Sequence, residues 1–191
     1  MTATSSPDDA PFWETPLARR LAPILTGLFT FTLILWGLGS MGVWEPWEAQ
    51  DISIAMEYAE RPPWDASIVE TTPDAPGYNW AVPTLDGEPI PYSLLKTWLV
   101  SASLPKEAGD ISAVLGTLER SARLPIAGFM AAFAMLLFFW VRRHADNLTA
   151  TCSTIALVSM PAVYFGAHNL TTELLGVVTT ALPILAAFEF V

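Results

Sequence analysis

Apolar residues in this chain gather into long unbroken runs instead of alternating with polar ones, and those runs set the architecture. Leu21 to Val43, Leu124 to Val141 and Leu148 to Ala167 carry no internal charge, and each approaches or meets the roughly 20 residues that cross a bilayer core. A fourth run opens after Glu173 at Leu174-Leu175-Gly176 and reaches Val191 with Glu189 as its single charge. The pattern predicts an all-α, polytopic membrane helical bundle with spans near 21–43, 124–141, 148–167 and 174–191. Because the fourth run meets the last residue with no polar tail, the expectation is a longer protein that continues beyond it. Residues 1–20 read as a cytoplasmic tail. Asp8, Asp9 and Glu14 precede the first run, which ends in Ser40-Met41-Gly42-Val43-Trp44 without a small-residue cleavage site, so it reads as a retained anchor and not a signal peptide.

The long segment between the first two spans, about 44–120, has a different rhythm. From Ala49 to Glu60, Ile52, Ala55, Met56 and Ala59 recur at helical spacing opposite Asp51, Glu57 and Glu60, which predicts a short amphipathic helix on the membrane surface. Pro62, Pro63, Pro73, Pro76 and Pro83 then impose a loop, with Asp86-Gly87 as a turn signal. Tyr92, Leu95, Leu99 and Ala102, with Leu94 and Trp98, predict a second apolar helix, too short to span and suited to the interface.

Basic pairs fix the expected orientation. Arg19-Arg20 precede the first span and Arg142-Arg143 follow the second, so both ends belong on the cytoplasmic side. The 44–120 segment is then exposed on the outer face. Between Trp44 and Glu119 it holds thirteen acids against Arg61, Lys96 and Lys106. Their plainest use is solubility; a sharper one is a carboxylate that faces a cation or takes a proton.

Composition agrees with this reading and removes alternatives. The chain is 52% hydrophobic and 15% charged, with a mean hydropathy of +0.42, where soluble domains carry roughly 25% charge. A net charge of −10 repels phosphate polyanions and argues against nucleic-acid binding. The single cysteine, Cys152, supplies neither a disulfide framework nor a zinc-type spacing. Most of the eight tryptophans fall near the expected interfaces, where such rings anchor.

A first span leading into Trp44-Glu45-Pro46-Trp47-Glu48, a surface helix, a loop with a turn, a helix carrying Trp98 and then Arg123-Leu124-Pro125 at the next span resembles a known order. It is similar to the N-terminal part of the GT-C membrane glycosyltransferases, of the aminoarabinose-transferase and protein-mannosyltransferase-like kind, over about Leu21 to Val191. The resemblance implies a transferase in the bacterial inner membrane that moves a sugar from a polyprenyl-phosphate donor to a lipid, protein or glycan acceptor at the outer face. It implies no cofactor and leaves a divalent metal open.

Carried over to this sequence, the acid that prepares the acceptor falls on Glu45, with Glu48 close behind. Leu170-Thr171-Thr172-Glu173-Leu174 resembles a further acidic turn of the family and nominates Glu173. The family's Lys-Pro ahead of the helix tryptophan is replaced by Tyr92-Ser93, so the lipid phosphate would fall to Lys96 or Arg123. Trp47 and Trp98 would line the cavity. Each acid also has a plainer use in the first turn of a helix, where a carboxylate suits the helix dipole. The alternative from another class is a non-catalytic membrane subunit whose acidic outer segment binds a partner.

Overall fold

The computed structural model describes residues 12–38, 47–60, 84–85, 88–89, 93–104, 111–170 and 172–189. Among them the chain is helical: α1 (Pro16–Leu35), α2 (Trp47–Glu60), α3 (Leu94–Ser103), α4 (Ile111–His144), α5 (Asn147–Ser159), α6 (Pro161–His168) and α7 (Thr172–Phe188). One minimal antiparallel ladder, β1 (Thr84–Leu85) with β2 (Glu88–Pro89), flanks the expected Asp86-Gly87 turn. Those two turn residues themselves lie outside the described set.

Two helices are long and apolar enough to cross a membrane, α1 and the Leu118–His144 part of α4, or three if the bent α5–α6 pair is one span. α1 starts with Thr15 as its cap, the hydroxyl accepting from Ala18 N at 3.3 Å, and with Pro16 in the first turn, where a missing N–H costs nothing. It ends at Leu35, eight residues short of the expected 43, because Trp36 turns extended and Gly37 takes a positive φ of 75°. That φ suits glycine and few other residues. Twenty residues still span roughly 30 Å.

α4 departs from expectation in the opposite direction. The apolar run predicts a span from 124, yet one helix runs unbroken from Ile111, so Arg120 and Arg123 are helical residues well inside it and not loop residues at its mouth. The third expected span, 148–167, is broken. Met160 is extended and Pro161 opens α6 at a bend of 59°, as expected from the steric clash that keeps a residue before proline out of the helical region. The fourth, expected over 174–191, is α7, an apolar helix of 17 residues that is shorter than either span.

Small side chains let the spans approach. Ala122, Ala127, Ala131 and Ala134 on α4 are fully buried beside Ile126, Met130 and Phe138, and without a strong hydrophobic drive in lipid such close backbone packing is what holds helices together. Thr26 on α1 donates to Thr151 on α5 at 3.4 Å. The outward faces of α1, with Leu17, Ile24, Leu25 and Leu28, are exposed and apolar, as a lipid-facing surface requires.

The bundle has two chemically distinct ends. At one, Arg142 donates to the Arg19 carbonyl at 3.0 Å, and Arg143 and His144 meet Glu189 at 3.0 and 3.1 Å. Both basic pairs therefore sit together, as their placement along the chain predicts. At the other end lie Arg123, α2 and α3. Arg123 and Arg142 are 19 residues apart on α4, roughly 28 Å along the axis, close to the thickness of a bilayer core.

On the two short helices ionisable residues share the buried face with apolar ones. On α2 the buried positions are Glu48, Asp51, Ile54, Ala55 and Tyr58, while Met56 is exposed. On α3, Lys96, Thr97 and Val100 are buried while Leu95 and Trp98 look outward. Asp51, set opposite the apolar positions by its spacing, is turned inward with Glu48 and Lys96, each beside an opposite charge.

Candidate functional site

Glu48 and Asp51 stand one turn apart on the inward face of α2, and each meets a cation from another helix. A Glu48 oxygen, Oε2, accepts from Arg123 of α4 at 2.6 Å, and Asp51 Oδ1 accepts from Lys96 of α3 at 2.7 Å. All four side chains are at most 6% exposed. The two pairs converge on one backbone position. Leu170, in the junction between α6 and α7, donates its N–H to Glu48 Oε1 at 2.9 Å and accepts from Lys96 at 3.2 Å.

This arrangement ties four parts of the chain together with two balanced charge pairs. Charges this buried are tolerated when paired and further hydrogen-bonded, and the loss of one partner strands the other. Burial pushes the Asp51 carboxyl above its ordinary range; the hydrogen bond and charge of Lys96 pull it down, and the Glu48 charge adds to the rise. Trp98 reinforces the same contact, its Nε1 donating to the Tyr58 hydroxyl at 2.7 Å, so that α3 is pinned to α2.

Of the residues nominated from the sequence, Glu48, Lys96 and Arg123 are brought together around Leu170. Trp98 lies on the other, more exposed side of α3, where it meets Tyr58. Glu173 is exposed in the first turn of α7, three residues beyond Leu170. Trp47 is the first residue of α2, and Glu45 lies outside the described residues. Glu48 has both carboxylate oxygens engaged, by Arg123 and by the Leu170 amide, which is the geometry of a residue that holds others in place.

Sequence reasoning missed Asp51 as a partner of Lys96, although its spacing of three from Glu48 puts both on one helical face. His168, which is not among the nominated residues, is buried, with its ring between two backbone carbonyls. Among the described residues no group of three or more His, Cys, Asp or Glu is arranged to hold a metal ion.

No family profile, curated protein or solved structure matches this chain.

Proposed function

We propose that the chain is the N-terminal part of a multi-pass glycosyltransferase of the GT-C kind, with its N-terminus cytoplasmic in a bacterial inner membrane. It transfers a sugar from a polyprenyl-phosphate donor to an acceptor at the outer face. The observation that carries the reading is the buried cluster of Glu48, Arg123, Asp51 and Lys96 directly after the first span, at the end of the bundle remote from the four arginines. Ionisable groups held near a membrane edge are costly and mark sites by default.

The division of labour follows from who is occupied. Glu45 is the acid that takes the proton of the acceptor nucleophile. Glu48 orients Arg123 for the departing phosphate, with Lys96 as the second cation. Glu173, Trp47 and Trp98 keep the donor-binding roles that the resemblance implies. A lipid phosphate that leaves with its electron pair needs cations near it, while the incoming hydroxyl needs a positioned base, a contribution worth roughly 10² to 10⁴ in rate.

The direct test is release of polyprenyl phosphate from labelled polyprenyl-phosphate sugars by the full-length protein in liposomes. Sugar-dependent release with transfer to a lipid, protein or glycan acceptor is expected. No release across hexose and pentose donors overturns the reading. A second reading, a non-catalytic membrane subunit, is favoured by one observation: Glu48 and Asp51 are already satisfied by cations of their own chain. It predicts stable co-purification with a membrane partner and no donor turnover.

A further inference from the structure

His168 occupies a position that its neighbours define electrically. Its Nδ1 lies 2.7 Å from the Tyr164 carbonyl oxygen and its Nε2 lies 2.9 Å from the Trp36 carbonyl oxygen. The residue is 1% exposed. Carbonyl oxygens accept and do not donate, and a neutral imidazole has one N–H only. The two contacts are both hydrogen bonds when the ring carries two N–H groups, that is, as the imidazolium.

Trp36 is the C-cap of α1, and Tyr164 stands one turn before His168 on α6, so the ring links the end of α1 to α6. The Tyr164 ring also lies against the imidazole, centroids 4.3 Å apart. The turn that Trp36 opens is gripped a second time, by Arg120 donating to the Leu38 carbonyl at 3.2 Å.

We infer that His168 is a proton-operated clasp: as the imidazolium it joins the end of α1 to the end of α6, and on losing a proton it releases one of the two. One contact then sets a ring lone pair against a carbonyl oxygen in a buried site, which repels. The charged and titratable groups on the elements packed around it are Glu119, Arg120 and Arg123 of α4 and Glu173 of α7, with Arg19 and Arg20 of α1 and Arg142, Arg143 and His144 of α4 at the far end; α5 carries no charged residue. Through Leu170, two residues on, the junction also meets Glu48 of α2 and Lys96 of α3. Release at Trp36 frees the turn after α1, and release at Tyr164 loosens the segment that carries Leu170. This device stands apart from the glycosyl-transfer reading and needs no turnover to test.

The His168 signals are assigned by their loss in His168→Asn, which keeps the assignment independent of every other histidine. With the full-length protein in nanodiscs, nitrogen-15 spectra would be compared at about pH 5.5 and pH 8.5, on either side of the ordinary histidine range. Hydrogen exchange of peptides covering 36–38 and 164–170 would be followed in parallel, corrected for intrinsic rates. The expected result is two protonated ring nitrogens at the lower pH. At the higher pH an imine-type nitrogen is expected together with exchange faster by roughly tenfold, a size within reach of a helix-terminal histidine charge. Three results overturn the inference: an imine nitrogen already present at the lower pH, an imidazolium kept at the higher pH, or deprotonation with unchanged exchange.

Discussion

Glu48 and Arg123 stand 75 positions apart in sequence and meet at 2.6 Å in the interior. The contact joins α2 to the end of α4 remote from Arg142. The remaining oxygen of Glu48 holds the Leu170 amide, so one side chain sets the distance between α2, α4 and the junction before α7.

Glu48→Ala leaves the Arg123 guanidinium buried without that carboxylate. A loss of about 3 to 5 kcal/mol is expected, as for other buried pairs broken from one side. The double variant Glu48→Leu/Arg123→Met recovers most of it. Denaturant unfolding in detergent micelles for the two single variants and the double gives the coupling directly, and strictly additive losses would count against the pair.

The Asp51 carboxyl titrates above its ordinary value of 3.8 in the folded chain, chiefly through burial. The folded state therefore holds this proton more tightly than the unfolded one. The stability it contributes is fully present below 3.8 and is lost as the pH rises through the raised folded value. Asp51→Asn is expected to flatten that part of the pH–stability profile, read by thermal unfolding at closely spaced pH from acid to neutral. An unchanged profile would place the pH dependence elsewhere.

Topology offers an independent check. In a Cys152→Ala background, Thr4→Cys and Ala145→Cys are expected to resist a membrane-impermeant thiol reagent in intact cells, while Asp74→Cys reacts. Labelling of Ala145→Cys and Asp74→Cys from the same side would refute the crossing of the second span.

Much of this architecture is legible in the sequence, and the exceptions share a physical cause. The apolar runs locate α1, α4, α5 and α7, and the arginine pairs locate one end of the bundle. Pro161 is visible inside the third run, and its effect on Met160 is local enough to anticipate. Hydropathy fails where burial is accomplished by pairing. It excludes the Glu119-to-Arg123 stretch from the second span because it weighs each charge alone, whereas Arg123 is buried with a carboxylate from another helix.

The same blindness hides the buried charges of α2 and α3. Counting Asp51 as a solvent-facing residue is the right rule for an unpaired acid, and Lys96, 45 positions away, is what changes it. The resemblance named Glu48, Lys96 and Arg123 for their chemistry, and they lie in one buried cluster, but the backbone of Leu170 that unites them is invisible to any pattern of side chains.

The central role we propose is that of an acid just after the first span in glycosyl transfer, with Glu48 holding Arg123 and Asp51 holding Lys96. Its most direct test is sugar transfer by full-length protein in liposomes, wild type against Glu45→Gln, with folding checked by unfolding midpoint. The account predicts a loss of roughly a hundredfold or more in Glu45→Gln with the midpoint unchanged. Undiminished transfer by Glu45→Gln would contradict it.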